Sequence, residues 1–364
     1  MIEKSLCEIS NPKQWKTIST DMLKDEGYPV YGANGIIGYY SEYNHEEKTL
    51  LITCRGATCG SLNICDPYSY VNGNAMALDN LIEEINIHYL YYYLLNRGLN
   101  DAITGTAQPQ IVRQSLQKVV IKYPELEVQH QIVNRLNQVA NLINKRKKQL
   151  EKLDELVKSR FVEMFGAYPL NPMGWKKGTI RDVVADVRYG SSRPAVDGGK
   201  YPYLRMNNIT YGGELDLSDV KRIDVPENEL GKCTVRRGDV LFNRTNSKEL
   251  VGKTCVYDRD EMMVLAGFVI RVRVNDLVLP EFLSAFLNTD FSKRTLLGMC
   301  KAAIGQANIN AQEMQNIGIY IPTIKLQREF VQFKNQTDKS KFEIKQSLEK
   351  LELLKKALMQ KYFG

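Results

Sequence analysis

The chain has little of what a membrane-bound or secreted protein requires. Its longest apolar run, Val264 to Ile270, is far too short to span a bilayer. The start of the sequence, Met1-Ile2-Glu3-Lys4, lacks the basic and then apolar layout of a signal peptide. The 7 cysteines, an odd number without a Cys-x-x-Cys pair, indicate reduced thiols. Together these features predict a cytoplasmic protein.

Metal ligands are also scarce in the sequence. Cys54, Cys59 and Cys65 lie close enough together in the sequence for a zinc site to be considered. However, they lack the paired spacing of zinc ligands, and the chain has only 3 His. We interpret these cysteines as structural thiols and predict no metal and no cofactor.

Catalytic motifs are missing as well. The sequence has no GxxxxGK[ST] phosphate loop, no GxGxxG after a strand, and no Asn-Pro-Pro-aromatic segment of the adenine-N6 methyltransferase kind. His45, His88 and His130 have no Ser or Cys motif around them that would form a nucleophilic site. We therefore predict no catalytic residue, so that any reactive groups must come from another subunit.

One long segment is present twice. Residues 107–166 align without a gap on residues 305–364, and 19 of the 60 aligned positions are identical. Each copy follows a region of different sequence, so the chain alternates variable region, helix, variable region, helix. The identical positions include Gln108 and Gln306, Ile111 and Ile309, Pro124 and Pro322, and Gln129 and Gln327.

The first copy predicts an unusually long helix. Apolar residues recur at alternating steps of four and three from Ile132 to Val157, with Arg146 as the polar exception. No Pro or Gly interrupts the pattern before Gly166, which predicts a helix from about Leu126 to Phe165, roughly 60 Å long.

The second copy predicts a less regular helix. Lys334, Thr337 and Lys341 stand where the first copy has apolar residues, and the apolar pattern resumes at Ile344. Because one apolar stripe cannot bury itself, we expect the two helices to pack as an antiparallel pair, incompletely buried at the three polar positions. The alternative is two unrelated amphipathic helices that each cover their own domain.

The variable regions combine predicted strands with polar loops. Tyr28-Pro29 corresponds to Tyr201-Pro202, and Arg244 falls at the place of Arg55. The loops carry side chains that hydrogen-bond base edges and phosphates, and the net charge of +7 suits a polyanionic partner. For each residue the alternative is an ordinary polar loop position. The DNA-contact candidates are Arg55, Thr58, Asn72, Asn74, Gln108, Arg205, Asn207, Asn208, Arg244, Asn246, Lys248 and Gln306.

The basic run Lys145-Arg146-Lys147-Lys148 in the first long helix has three interpretations. It contacts DNA phosphates, it forms a solvated helix face, or it binds protein.

This organisation resembles the specificity subunits of type I restriction–modification enzymes over the whole chain. The resemblance is carried by the duplicated Gly/Ala-Gln-x-x-Ile motif, the Pro…Gln lead-in to each helix, and the Leu-Glu-Lys-Leu runs beginning at Leu150 and Leu348. The stretch Tyr28 to Tyr40 is similar to one class of that family's target-recognition domains.

The resemblance implies an α+β fold in which two strand-rich target-recognition domains are separated by two long antiparallel α-helices, with a pseudo-two-fold internal repeat. The expected divisions are a first target-recognition domain with its linking motif at 1–124, a first helical region at 125–166, a second target-recognition domain with its linking motif at 167–322, and a second helical region at 323–364.

The resemblance also implies a function. The chain is expected to recognise a bipartite, asymmetric site in double-stranded DNA, without catalysis of its own and without a membrane partner. It would direct adenine methylation or cleavage by two DNA adenine methyltransferase subunits and by ATP-dependent restriction subunits. The alternatives are a helical scaffolding protein that binds only protein, and a self-contained nuclease or methyltransferase, against which the missing motifs argue.

Overall fold

The computed structural model describes residues 1–105, 108–300 and 307–364. They form two compact units, of which unit 1 comprises residues 1–147 with 346–364 and unit 2 comprises residues 148–345. Each unit therefore contains one part of each predicted long helix. Ala107, Gly305 and Gln306 of the duplicated linking motif lie outside the described residues.

Unit 1 begins with strands and short helices and then enters a long helix. The strands are β1 Ile2–Ser5, β2 Asn11–Gln14, β3 Tyr28–Gly32, β4 Gly35–Tyr40, β5 Leu50–Thr53, β6 Leu62–Ile64, β7 Tyr70–Val71, β8 Ala75–Asp79, β9 Ile103–Thr104, β10 Gln110–Ile111 and β11 Val120–Tyr123. The helices are α1 Leu6–Ile9, α2 Ile87–Arg97, α3 Arg113–Leu116 and the long helix α4 Leu126–Phe165, which continues into unit 2.

Two small sheets organise unit 1. One is antiparallel, in the order β2-β8-β5-β6, and the other has the order β4-β3-β7 with β3 and β7 parallel. The four residues of β5 are all buried, as expected for an apolar run at the centre of a sheet. Helix α2 begins where the Asn86 side chain accepts hydrogen bonds from His88 N and Tyr89 N. It ends at Gly98, whose φ of 72° suits glycine.

Unit 2 repeats this order with different sequences. Its strands are β12 Lys176–Thr179, β13 Val184–Tyr189, β14 Tyr201–Leu204, β15 Lys221–Ile223, β16 Thr234–Val235, β17 Val240–Asn243, β18 Thr245–Asn246, β19 Thr254–Val256, β20 Met263–Leu265, β21 Val269–Val274, β22 Ala307–Asn308 and β23 Gly318–Ile321. Its helices are α5 Glu227–Cys233, α6 Pro280–Leu287, α7 Asp290–Met299, α8 Ala311–Gln315 and the long helix α9 Ile324–Phe363, which continues into unit 1.

The two main sheets of unit 2 correspond to those of unit 1, with β16 as an added strand. The order β13-β21-β17-β19 corresponds to β2-β8-β5-β6, and the order β15-β14-β20-β16 contains the counterpart of β4-β3-β7. Strand β14, which starts at Tyr201, pairs in parallel with β20 as β3, which starts at Tyr28, pairs with β7. The predicted correspondence of these two tyrosines is therefore confirmed.

Segments of the two long helices pack against each other in each unit. In unit 1, Ile132 and Leu136 near the start of α4 share the core with Met359 near the end of α9. In unit 2 the end of α4 instead packs against the start of α9: the Phe161 ring lies 5.3 Å from the Phe330 ring. The helices are thus antiparallel, and the interpretation as two unrelated helices is wrong.

Two of the three polar positions of α9 are packed, so the expectation of incomplete burial is wrong for Thr337 and Lys341, whereas the Lys334 side chain stays half-buried. The side chains of Thr337 and Lys341 are both buried. Lys341 Nζ lies 2.6 Å from Asp154 Oδ1 and 2.6 Å from Glu214 Oε1. The Thr337 hydroxyl donates to the carbonyl of Phe333 at 3.1 Å. Thr337 and Lys341 can therefore lie on the buried face of α9 because each has a hydrogen-bond or ion-pair partner there.

The predicted fold class is confirmed. Both units are strand-rich, they repeat one topology, and the long antiparallel helices contribute to each of them. Among the helices of the described ranges, none is both long enough and apolar enough to cross a membrane.

Candidate nucleic-acid interface

Unit 1 has a cleft with polar side chains where several strands end. Its walls come from Ala33 after β3, Arg55 after β5, Asn74 before β8, and Gln108 and Gln110 at β10. The cleft has a volume of about 670 Å³. Arg55 and Gln110 are bridged through their backbones, which joins the end of β5 to the linking motif. Arginine and amide side chains in one concavity form a set of base-edge donors and acceptors.

Unit 2 has a cleft at the ends of its own strands. Arg205 and Asn207 contribute from the segment after β14, Arg244 from the end of β17, and Phe268 from the turn before β21. This cleft has a volume of about 470 Å³. Below it, Lys253 is buried and donates to the carbonyl of Met206 at 2.9 Å, which holds the segment after β14 in place.

The two clefts lie at equivalent places in the repeat. Cys54 N donates to the carbonyl of Asn74 at 3.1 Å in unit 1, and Arg244 N donates to the carbonyl of Phe268 at 2.9 Å in unit 2. These bonds make Arg244 the counterpart of Cys54, and Phe268 the counterpart of Asn74. The same backbone frame therefore presents different side chains in the two units.

Arg244 does not occupy the position of Arg55, so that sequence correspondence is wrong by one residue. Ile111 N donates to the carbonyl of Cys54, and its repeat partner Ile309 N donates to that of Arg244. The counterpart of Arg55 is consequently Thr245. Because successive residues of an extended chain point to opposite sides, the shift changes what each arginine faces. Arg55 is exposed, whereas Arg244 is half-buried.

Two of the predicted asparagines are buried and support their own loops. The Asn72 side chain accepts from Ile18 N and donates to the carbonyl of Ile18, at 3.2 and 3.3 Å. The Asn208 side chain accepts from Arg205 N at 2.8 Å and donates to the carbonyl of Asp216 at 2.9 Å. Both amides are used in fixing loop backbone next to a cleft.

The remaining candidates lie around the clefts. The Thr58 hydroxyl donates to Asn34 Oδ1 at 2.7 Å, which ties together two exposed turns of unit 1. The Asn246 side chain accepts from Ser247 N at 2.9 Å, and Lys248 follows as an exposed side chain. Gln306, the repeat partner of Gln108, lies outside the described residues.

Three arginines line the unit 2 cleft, and they differ in whether a carboxylate pairs with them. Arg193 pairs with Glu229 through two hydrogen bonds of 3.1 and 2.7 Å. Arg205 pairs with Asp219 at 2.7 Å. Among the residues the structure describes, no carboxylate pairs with Arg244, and its Nε is buried without a hydrogen-bond partner. Because no described carboxylate offsets its charge and Nη1 makes only a long hydrogen bond, the terminal N–H groups of Arg244 are the donors that a ligand can use.

Sequence reasoning missed Tyr189 and Phe268. The Arg244 guanidinium lies 5.0 Å from the centre of the Tyr189 ring, at the end of β13. Phe268 is 51 % exposed, although its apolar run resembles a buried strand. A sequence signal for Phe268 did exist. Gly267 precedes Phe268 as Gly73 precedes Asn74, so aligning the two glycines would have placed Phe268 at the position of a predicted DNA contact.

The basic run of α4 is partly engaged within unit 1. Lys147 Nζ lies 3.4 Å from Glu352 Oε1 of α9. Lys145 and Lys148 are exposed, and Arg146 is half-buried. In the described ranges, no group of three or more His, Cys, Asp or Glu side chains has the arrangement of a metal site.

The repeated topology and the equivalent clefts define an internally duplicated α+β protein with one cleft in each repeat that contains arginine and amide side chains. The chain belongs to the family described as the type I restriction modification DNA specificity domain, whose model matches residues 3–152 and 172–355.

Named relatives agree with this membership. The chain is 22 % identical over 260 residues to the type I restriction enzyme EcoKI specificity subunit of Escherichia coli K12, covering 67 % of this chain and 56 % of the relative. It is 19 % identical over 373 residues to the EcoBI specificity subunit of Escherichia coli, covering 93 % of this chain and 74 % of that one. In the EcoKI comparison the chain thus spans little more than half of the relative's length.

A solved structure shows the same fold. The crystal structure of the type I restriction–modification system S subunit from M. genitalium has a TM-score of 0.61 and 15 % sequence identity. The comparison covers 100 % of this chain and 96 % of that one.

Proposed function

We propose that this chain is the DNA sequence-recognition subunit of a type I restriction–modification complex. It recognises a bipartite, asymmetric site in double-stranded DNA, with one half-site bound by each cleft. The observation that carries this proposal is the equivalent placing of two clefts with unlike side chains. One backbone frame places Asn74 in the unit 1 cleft but Phe268 in the unit 2 cleft, and it adds Arg244 to the unit 2 cleft where unit 1 has the buried Cys54, which suits two different base sequences.

The side chains in the clefts supply the chemistry of base recognition. Arginine donates two parallel hydrogen bonds to guanine, and asparagine or glutamine pairs with adenine through a donor and an acceptor. Asn72 and Asn208 hold the loops in shape. The side chains proposed to contact DNA are Arg55, Asn74, Gln108, Arg205, Asn207 and Arg244, with Thr58, Asn246, Lys248 and Gln306 at the margins.

The chain is proposed to act without catalysis of its own and without a cofactor, in the cytoplasm. Two DNA adenine methyltransferase subunits and ATP-dependent restriction subunits supply the reactions. The proposed divisions are target-recognition domains at 1–124 and 167–322 and helical regions at 125–166 and 323–364. Exposed apolar side chains on the long helices support a protein partner there, because Leu353 and Leu354 are 68 % and 47 % exposed.

The experiment that tests this function is methylation mapping. The chain is co-expressed with the adenine methyltransferase subunit that the proposal expects to be encoded beside it, and methyl-adenine is mapped by sequencing in cells with and without the chain. We expect a two-part motif with an unspecified spacer that appears only when both proteins are present.

A chain with an exchanged second variable region tests whether the unit 2 cleft recognises one of the two half-sites. Replacing residues 167–304 by the corresponding region of another family member should change one half of the motif and leave the other half unchanged. Methylation that is independent of the chain, or a chain that binds the partner but gives no motif, would favour the helical scaffolding protein.

A further inference from the structure

The unit 2 cleft contains an arginine that is held in place before any ligand arrives. The Tyr189 ring lies on one side of the Arg244 guanidinium at 5.0 Å, and Arg244 Nη1 is 3.5 Å from the carbonyl of Gly267. The ring is itself fixed, because the Tyr189 hydroxyl accepts from Ala311 N at 2.9 Å. Stacking on an aromatic ring orients the guanidinium plane at a small entropic cost.

The corresponding positions of unit 1 form a different pair. Tyr189 lies opposite Ile270 in the β13–β21 ladder, and Gln14 lies opposite Met76 in the β2–β8 ladder. Gln14 is thus the counterpart of Tyr189, and its side chain contacts Cys54 Sγ at 2.8 Å. The repeat therefore keeps a contacting pair at this place while changing both members, from Gln14 with Cys54 to Tyr189 with Arg244.

The donors of Arg244 suit a base edge. Arg193 and Arg205 line the same cleft, but each is paired with a carboxylate. Arg244 instead has no carboxylate partner among the described residues, and its guanidinium makes only one long hydrogen bond, from Nη1 to the carbonyl of Gly267 at 3.5 Å. An oriented guanidinium with free donors in a concave site matches the O6 and N7 acceptors of guanine, whereas mobile, exposed cations such as Lys248 serve phosphates.

We infer that Arg244, positioned by Tyr189, recognises one guanine in the half-site bound by unit 2. This inference rests on the proposed function, because it names the base that one of the two clefts selects. Arg244 contacts the base, and Tyr189 acts through Arg244 as a positioning residue.

The test uses the full chain in complex with its methyltransferase subunit. The half-site of unit 2 is first identified by the exchange of residues 167–304. Methylation is then measured on a DNA library in which each position of both half-sites is varied, for the wild-type chain and for Arg244→Gln, Arg244→Lys and Tyr189→Leu. Arg55→Gln serves as the matched change in unit 1.

We expect Arg244→Gln to reduce discrimination for guanine at one position of the unit 2 half-site by roughly ten- to a hundredfold, and to leave the unit 1 half-site intact. Arg244→Lys should keep overall DNA affinity but lose part of the discrimination. Tyr189→Leu should weaken discrimination at the same position, whereas Tyr189→Phe, measured as a further variant, should keep most of it because the ring is retained. Arg55→Gln should leave that position unchanged.

Three outcomes would overturn the inference. An equal loss of affinity for all sequences with a shallower salt dependence would make Arg244 a phosphate contact. An unchanged motif for Arg244→Gln would remove the residue from recognition. If Arg244→Gln abolished methylation, competition binding of Arg244→Gln to the same DNA library would decide, and unchanged guanine preference there would refute base contact. A wild-type chain without any motif would instead refute the proposed function.

Discussion

At the scale of single residues, two buried glutamines show what the repeated sequence preserves. The Gln129 side chain accepts from Asn86 N at 2.9 Å and donates to the carbonyls of Glu84 and Pro124, each at 2.8 Å. Gln327, its repeat partner, makes the same three kinds of bond in unit 2. Both are fully buried, so each amide satisfies backbone groups that have no access to water.

Removing one of these amides should destabilise the unit that contains it. Gln129→Ala leaves Asn86 N and two carbonyls unpaired, and we expect the free energy of unfolding to fall by about 2–4 kcal/mol. Urea unfolding followed by circular dichroism measures the change. Gln138→Ala is the matched control, because Gln138 is also repeated but exposed, and it should cost less than about 0.5 kcal/mol. Equal effects of the two changes would contradict this account.

Lys293 makes stability depend on pH in the alkaline range. Burial lowers its pKa from 10.5 to about 8, with smaller contributions from the charges of Lys158 and Lys253. Its ammonium donates to the carbonyl of Gly252 at 2.9 Å. Below pH 8 the group is charged in both the folded and unfolded states, so its cost is constant. Between pH 8 and 10.5 the unfolded state binds more protons, and this group makes stability rise with pH.

Lys293→Met should remove that dependence. We expect the variant to be more stable than the wild type at pH 7 by about 2 kcal/mol, with the difference shrinking as the pH approaches 10. Unfolding free energies measured at several pH values between 7 and 10 test this. Lys339→Met is the control, because that side chain is exposed and its charge does not contribute to the lowered pKa of Lys293, so its curve should run parallel to the wild type. A Lys293→Met curve parallel to the wild type would refute the assignment.

Individual contact positions were the hardest to predict from the sequence. The pairing of Arg244 with Arg55 was wrong by one residue because loops tolerate insertions, so the offset between the two units changes from one strand to the next. The hydrogen bonds of Ile111 and Ile309 determine the equivalence, and these exist only in the folded chain. The exposed Phe268 was missed because an apolar residue beside buried ones gives no signal of its own.

At the scale of elements, the long helices were predicted well and their polar positions were not. The spacing from Ile132 to Val157 predicted a buried stripe, and the structure places these residues at buried or half-buried positions. Lys341 departs from the expectation because Glu214 of the second variable region reaches it. Burial raises the pKa of Glu214, but the bonds from Lys341 and Lys345 outweigh this and hold the pKa below its usual value. Such a partner, far away in sequence, cannot be found from helical periodicity.

Under the proposed function, the outer face of α9 provides a prediction about the proposed methyltransferase partner. Because Leu353 and Leu354 are exposed, we expect the combined change of both to Asp to weaken binding of the methyltransferase subunit about tenfold or more. Affinity measured with the purified proteins checks this. Lys356→Asp, at an exposed polar position of the same helix, should change affinity much less. Full binding by the double variant with an unchanged fold would show that the partner docks elsewhere.

At the scale of the whole molecule, the internal duplication was the most predictable feature. The helical segments keep one constant offset because insertions are not tolerated within a packed helix, whereas the variable regions diverge within a shared strand order. The sheet connectivity was not predictable, because short strands such as β7 and β16 contain only two residues each. Their pairing depends on neighbours far along the chain.

The proposed function makes the two long helices a determinant of the spacer between half-sites. Both α4 and α9 contribute to both units, so equal insertions at the unit boundaries, after Lys147 in α4 and after Lys345 in α9, lengthen both helices together. Seven residues add about two turns, so the residues after the insertion keep nearly the same direction around the helix axis. They also lengthen each helix by roughly 10 Å, the rise of about three base pairs. We expect the preferred spacer to change while the bases of both half-sites stay the same. Selection from DNA libraries with variable spacers measures this, and the same seven residues added after Gly364 serve as the control. An unchanged spacer, or a change in the bases recognised, would show that the helices do not set the distance between the half-sites.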